Sequence, residues 1–419
     1  MAHILILTLG SRGDVQPYTA LAGALTQRGH KVTLSTGLGF DDLIPNDVEY
    51  KPLSIDMEAL LQDPEMQAAL HGIRTKIRAF RSTRDMMLKQ LDEMWEISQQ
   101  LEQDVIIYHP KAFIAPYFAQ ALGVIAIPSF LQPAFRPTRE FLNPLLSVRE
   151  VGPLTNRMLG AAMIRLMRFG YNTLLKGWFA RHPEFPHPEP LDVLAGYHPR
   201  RRPVPRLNAH SSCLVPKPAD WGLEEHVTGD WYDAETTDWL PPEDLNAFLN
   251  AGPPPTYIGF GSMPASDSDR MTGLFLDALN KTGQRAILSA GWGGLESRPN
   301  TDAIYHLTSA PHDWLFPRCR AVVHHGGAGT THAGLRHGRA TLICPHFGDQ
   351  TFWGRRVAAL GAGQNPIPVR SLNVSNLVEA LTGLENDRCE KAAADIARCM
   401  SSERGTVTAA GLIEQTLDA

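Results

Sequence analysis

Short apolar runs, each closed by a glycine or polar loop and followed by a helix-like stretch, recur along this chain in two series separated by a proline-rich break. The first run, His3 to Leu9, stops at Gly10. A polar loop, a helical stretch from Gln16 to Arg28, a closing Gly29 and a second apolar run from Lys31 to Ser35 follow. Such a strand–helix–strand unit stacks into a parallel sheet, because its crossover is right-handed. Parallel strands covered on both faces read as continuous apolar runs.

The same reading predicts strands at 48–53, 105–108, 124–127 and 212–215, with helices over 57–101, 114–122 and 150–182. Leu154, Met158, Met163, Leu166, Met167 and Leu174 form the expected apolar side of the last helix. Residues 216–255, rich in Pro, Trp and acid, break the pattern. A second series then predicts strands at 256–260, 285–289, 303–307, 321–324 and 341–344. The fold class is α/β: two Rossmann-like parallel-sheet domains facing a cleft. Domain one is expected over 1–228, a linker over 229–255, domain two over 256–395 and a C-terminal helix over 396–419. A chain of 419 residues suits two domains of roughly 200.

The net charge of −5 argues against a dedicated nucleic-acid binder, since phosphate neutralisation needs a basic face. The five cysteines are odd in number and contain no CxxC pair, so neither a disulfide framework nor a cysteine zinc site is expected, and the cytoplasm is the default compartment. The first apolar run, about six residues long, is too short for a signal peptide. No run reaches the roughly 18–20 apolar residues of a membrane span.

Ligands of such sheets sit beyond the carboxyl ends of the strands. There lies Val322-Val323-His324-His325-Gly326-Gly327-Ala328-Gly329-Thr330-Thr331-His332, a buried strand feeding small residues and then a helix near Thr330. The first turn of a helix offers unpaired N–H groups and a partial positive charge, and glycines admit a phosphate close to the backbone. Thr330 and His325 add side-chain donors. The plain alternative is a glycine-rich turn with a capping Thr. GK[ST] is missing, and the first loop reads Gly10-Ser11-Arg12-Gly13-Asp14-Val15, so neither nucleotide fingerprint fits.

Pro311-His312-Asp313-Trp314-Leu315, His325 to Thr331, Pro345-His346-Phe347-Gly348-Asp349-Gln350 and Trp353 together resemble the donor signature of the GT-B glycosyltransferases. The sterol glucosyltransferase branch and bacterial natural-product enzymes are the most similar. Gly10 to Tyr18, Val105 to Lys111 and Val215 to Trp221 resemble other segments of that branch. The resemblance implies an inverting, metal-independent O-glycosyltransferase that moves a hexose, glucose foremost, from a UDP-sugar to a hydrophobic acceptor.

It further implies a donor site of Ser262, Pro311, His312, Trp314, His325, Gly327, Ala328, Gly329, Thr330, Asp349 and Gln350. In this scheme Asp349-Gln350 binds sugar hydroxyls and Gly261-Ser262 touches phosphate; either could also be an ordinary turn. Plant members stack a Trp on the base where this chain has Ser309, and Trp314 is either a substitute or core. They hold the ribose with a Glu where this chain has Ala333, so UDP and dTDP both stay open. Nothing implies a cofactor beyond the nucleotide sugar.

The acceptor hydroxyl needs a base. Gly10, Ser11, Arg12 and Gly13 form the first loop, and Asp14 is its only titratable base. As the resemblance to Asp-bearing bacterial and sterol enzymes implies, Asp14 is the expected general base, with a pKa rise if the cleft is dry; alternatively it caps the following helix. His109, ending a strand, is the second candidate base or a structural His. His306, His312, His324, His325, His332, His337 and His346 crowd one region, yet no pair has helical metal-site spacing beside a carboxylate, so no metal is expected. Residues 71–92, basic and amphipathic, suit either peripheral contact with an anionic membrane or a half-buried helix. Competing functions are a dTDP-sugar enzyme, a sugar-nucleotide epimerase and a non-catalytic auxiliary protein. The sequence leaves oligomeric state open.

Overall fold

The computed structural model describes residues 1–56, 59–60, 73–146, 152–186, 189–233, 239–261, 268–290 and 295–419; the side chains of 73–83 lie outside the described set. Seven strands build the first sheet: β1 (His3–Leu7), β2 (Lys31–Thr36), β3 (Glu49–Pro52), β4 (Val105–Tyr108), β5 (Ile125–Phe130), β6 (Arg206–Asn208) and β7 (Glu225–Val227). Their order is β3-β2-β1-β4-β5-β6-β7, and every pairing is parallel. Helices α1 (Arg12–Gln27), α2 (Ile73–Gln100), α3 (Ala115–Leu122) and α4 (Pro153–Arg181) cross between strands.

Alternate residues of β1 serve opposite faces. Leu5 and Leu7 pack with Leu88, Met94, Phe118 and Trp178 of α2, α3 and α4. Ile4 and Ile6 pack with Leu21 and Leu25 of α1. Both faces are covered, so β1 is buried throughout, as its unbroken apolar run predicts.

After α5 (Glu243–Asn250), the second sheet has β8 (Thr256–Gly259), β9 (Ala286–Ser289), β10 (Ile304–Leu307), β11 (Ala321–His324) and β12 (Ala340–Ile343), in the order β10-β9-β8-β11-β12. The associated helices are α6 (Ser268–Thr282), α7 (His312–Leu315), α8 (Ala328–Arg336), α9 (Gln350–Ala359), α10 (Val374–Leu384), α11 (Asp387–Ser401) and α12 (Gly405–Asp418). In each sheet the order reverses between two neighbours, β1/β4 and β8/β11. Loops leaving such a pair diverge and open a crevice.

Several expectations give way. Residues 212–215 are no strand; the segment turns out of the first sheet and packs on the second domain, with Leu214 and Val215 buried among Leu335, Trp353, Val357 and Ile396. The last strand, β7, lies inside the stretch read as a break at 216–255. The tail is two helices, α11 and α12. Only α12 returns to the first domain, where Ala409, Ala410 and Ile413 pack on α1 and Glu414 meets Arg28 at 2.5 Å and His30 at 3.1 Å. On α4 the buried residues include Asn156, Gly160, Ile164, Leu174, Leu175 and Trp178, while Leu154, Met158 and Leu166 face outward at 65%, 69% and 64% exposure. At the buried side, a Cβ at Gly160 would lie in ordinary van der Waals range of Pro137 and Asn143. Apolar count alone misassigned that face.

The cysteine expectation is also overturned. Cys213 and Cys399, 186 residues apart in sequence, are disulfide-bonded, while Cys319, Cys344 and Cys389 are free and buried. The packing of α11 against 211–215 brings them together, which spacing cannot show. The cysteine count therefore no longer argues for a reducing compartment. Thiol titration of denatured, unreduced protein should find three thiols among the five cysteines; five would refute the bond.

Candidate active site

Asp14 reaches its place through the local chemistry of α1. Ser11 is the N-cap and Asp14 is N3, so the two form a capping box. Asp14 Oδ2 accepts from Ser11 N at 2.9 Å and from Ser11 Oγ at 3.1 Å. The helix thus starts at Arg12, four residues earlier than the periodicity predicts, and Asp14 is no N-cap.

Because β1 and β4 are neighbours, the loop after β4 comes alongside. Lys111 Nζ donates to Asp14 Oδ2 at 2.9 Å, and His109 Nε2 lies 3.6 Å from Oδ1. Gly10 has φ +148°, and a Cβ there would come within 2.1 Å of Asp14 Oδ2 and 2.5 Å of Lys111 Nζ. The glycine makes room for the ion pair.

Burial alone would raise the Asp14 carboxyl, but the Lys111 ammonium, His109 and the Ser11 amide outweigh it and hold the group below its ordinary value. The expected rise is therefore reversed. Buried His109 is driven down to about 3, chiefly by loss of water, and is neutral at pH 7. Its Nδ1 accepts from Lys111 N at 3.2 Å, which puts the ring proton on Nε2, facing Asp14. His109 is thus a donor toward Asp14 and is poorly placed as a second base.

Across the cleft, β11 delivers His325 and the small-residue loop. Gly327 is the N-cap of α8, and no side chain caps it. The first intrahelical bond retained is Thr331 N to Gly327 O at 3.0 Å, so the N–H groups of Ala328, Gly329 and Thr330 have no acceptor within the helix. Gly329 is exposed, and Ala328 and Thr330 are half-buried. His324 Nδ1 accepts from Gly326 N at 2.9 Å and fixes the turn. His325 is pushed down to about 3 by burial and then by His346 and His312, so it is neutral; its Nδ1 has no hydrogen-bond partner among the described residues. Gly261, leaving the neighbouring β8, lies against this imidazole, while Ser262 is outside the described residues.

Pro311 is the N-cap of α7, and His312 stacks on Phe316 at 4.3 Å. Burial, then the charge of Arg12 from the opposite domain, lowers His312 to about 4. Trp314 packs edge-on to Trp239 at 5.0 Å and carries the Arg318 guanidinium on its ring at 4.1 Å. It is partly buried and packs against the edge of the second domain's core.

Asp349 Oδ2 accepts from Trp353 Nε1 at 2.8 Å. Gln350 Oε1 accepts from His346 N at 2.7 Å and Phe347 N at 3.1 Å, so this oxygen braces the loop. His332, buried, joins the domains: Nε2 accepts from Ser211 N at 3.1 Å, and Nδ1 lies 2.7 Å from Ala328 O. Among the described residues no three His, Cys, Asp or Glu group as a metal site, and no helix is long and apolar enough to cross a membrane. The basic side chains Arg74, Lys76, Arg78 and Arg81 lie outside the described residues. Lys111 and His332 escaped the sequence reading; only the strand order and domain packing bring them in.

Burial lifts Asp349 from 3.8 to about 6, partly offset by the Trp353 hydrogen bond and aided by Asp14 across the cleft. A carboxyl raised on folding costs stability once ionised; the cost is absent below its unfolded value and full above its folded one. Asp349→Asn should therefore melt higher than the wild type at about pH 7.5 and equal it at about pH 4. A difference independent of pH in a thermal-melt series would refute the assignment.

Residues 4–138 match the glycosyltransferase family 28 N-terminal domain, and residues 297–408 match the erythromycin biosynthesis protein CIII-like C-terminal domain. A sterol 3-beta-glucosyltransferase of Arabidopsis thaliana is 35% identical over 425 residues, covering 97% of this chain and 64% of the relative. Another from the same plant is 33% identical, covering 97% and 66%. One from Yarrowia lipolytica is 33% identical, covering 99% and 29%. The chain thus spans less than two thirds of the length of these relatives. Among solved structures, the glycotransferase of kitacinnamycin superposes with a TM-score of 0.72 at 17% identity, covering 99% of both chains. The glycosyltransferase SnogD from Streptomyces nogalater gives 0.63 at 20%, again covering 99% of both. Separate family matches in the two halves meet on one shared architecture, and the chain has the two-domain fold of these glycosyltransferase structures.

Proposed function

We propose that the protein is an inverting hexosyltransferase that moves a sugar, glucose foremost, from a nucleotide sugar to the hydroxyl of a hydrophobic, sterol-like acceptor. The observation that carries this reading is a pairing across the cleft. An uncapped helix start beside neutral His325 faces an ionised Asp14 with one oxygen free of strong hydrogen bonds. The sterol 3-beta-glucosyltransferase relatives support the sugar and the acceptor class.

The acceptor oxygen attacks the anomeric carbon while its proton passes to Asp14 Oδ1. The bond from that carbon to the diphosphate oxygen breaks, and its electron pair leaves with the diphosphate. Charge growing on the leaving group is met by the N–H groups of Ala328, Gly329 and Thr330, the positive end of α8 and the His325 imidazole. These donors are fixed before the reaction, so they favour the transition state over the bound donor. Asp14 is a weak base at pH 7, so proton transfer runs late and depends on positioning. Asp349 Oδ1 is left for a sugar hydroxyl.

Asp14→Asn should lower kcat by about 10²- to 10⁴-fold and leave the Kd for UDP unchanged. The assay pairs UDP-glucose or dTDP-glucose with a 3β-hydroxysterol, and calorimetry reads nucleotide binding. Undiminished kcat in Asp14→Asn would contradict the assignment, and faster turnover of dTDP-glucose would replace UDP as the carrier.

A further inference from the structure

The ion pair between Lys111 and Asp14 raises a difficulty for a general base, because a carboxylate neutralised by an ammonium is a poorer proton acceptor. The hydrogen bonds show how the difficulty is met. Ser11 N, Ser11 Oγ and Lys111 Nζ all converge on Oδ2, at 2.9, 3.1 and 2.9 Å. Oδ1 has His109 Nε2 as its nearest polar neighbour among those described, at 3.6 Å, beyond a hydrogen bond. The carboxylate is asymmetric: one oxygen is saturated and the other is available.

Resting on the reading of Asp14 as the base, we infer that Lys111 is a positioning residue: its ammonium fixes Oδ2 and so leaves Oδ1 as the atom that takes the acceptor's proton. A second geometric fact agrees. Position 10 is glycine in the left-handed region, and any side chain there would occupy the space of both members of the pair. The backbone of Lys111 adds a further element, since its N–H sets the tautomer that turns the Nε2 proton of His109 toward Oδ1.

Lys111 also keeps the base ionised. The side chain of Asp14 is 17% exposed, and burial pushes a carboxyl toward its protonated form. The charged and titratable groups facing it are Lys111 and neutral His109 from the loop after β4, Tyr18 on its own helix and Asp349 across the cleft. Lys111 is the nearby cation among them. Without it, burial and the Asp349 carboxylate both favour protonation, so the acid limb of the rate profile moves to higher pH.

The test is Lys111→Met beside Lys111→Arg, in the full chain with UDP-glucose and a 3β-hydroxysterol. Lys111→Met should lose about tenfold or more in kcat near neutral pH. The loss should grow as pH falls, and the Kd for UDP should stay within about twofold of wild type. Lys111→Arg, which keeps the charge, should recover most of the rate and the wild-type acid limb. A loss equal at all pH values, or Lys111→Arg as poor as Lys111→Met, overturns the inference. Asp14→Asn measured alongside separates the two readings. Retained turnover there removes the base and this inference together, whereas an inactive Asp14→Asn with a pH-independent loss in Lys111→Met removes this inference alone.

Discussion

The first turn of α8 is left open, and much of the second domain serves to keep it so. A helix start without a cap carries unpaired N–H groups and a partial positive charge, which water satisfies poorly in a cleft and an anion satisfies well. Gly327 supplies no side chain to close it. His324, buried at the end of β11, ties down the Gly326 N–H, and Gly326, at φ +95°, takes the turn that aims the helix at the cleft. Trp353 orients Asp349 beside the same opening.

The Asp14 side of the cleft is held to this opening by contacts that cross between domains. Residues 211–215 leave the first sheet and touch α8, α9 and α11 in turn. Ser211 meets His332, Leu214 O accepts from Arg356, Cys213 bonds to Cys399, and Ser212 donates to Glu403 at 2.7 Å. In the other direction, α12 returns to pack on α1, whose first turn carries Asp14. α1, which carries Asp14, and α8, with its open first turn, are therefore both anchored by segments of the opposite half. A cleft built this way fixes the distance between acceptor and donor through ordinary packing.

Legibility in the sequence followed the range of the interactions. Buried parallel strands announced themselves as apolar runs, and the loop from His325 to Thr330 stood out because small residues sat between a strand and a helix. Asp14 could be chosen because no other titratable base lies in its loop. Its partner Lys111, 97 residues away, could not, because that meeting depends on β1 and β4 being neighbours, and order within a sheet leaves no local trace. The bond between Cys213 and Cys399, 186 residues apart in sequence, was hidden because it depends on α11 packing against residues 211–215. Trp314 and Gln350 show a different limit. The family resemblance implied ligand contacts; what the sequence did not show is that Trp314 packs with Trp239 and Arg318 and that the Gln350 side-chain oxygen accepts from its own loop. The outward side of α4 was misread because apolar residues occur all round that helix, so residue type alone does not say which side is buried.

The central claim is that the open start of α8 receives a nucleoside diphosphate. A crystal structure with UDP bound tests it most directly. The account predicts phosphate oxygens within hydrogen-bond distance of the Gly329 and Thr330 N–H groups and of the His325 ring. A diphosphate resting elsewhere, with those N–H groups still bare to solvent, would contradict it.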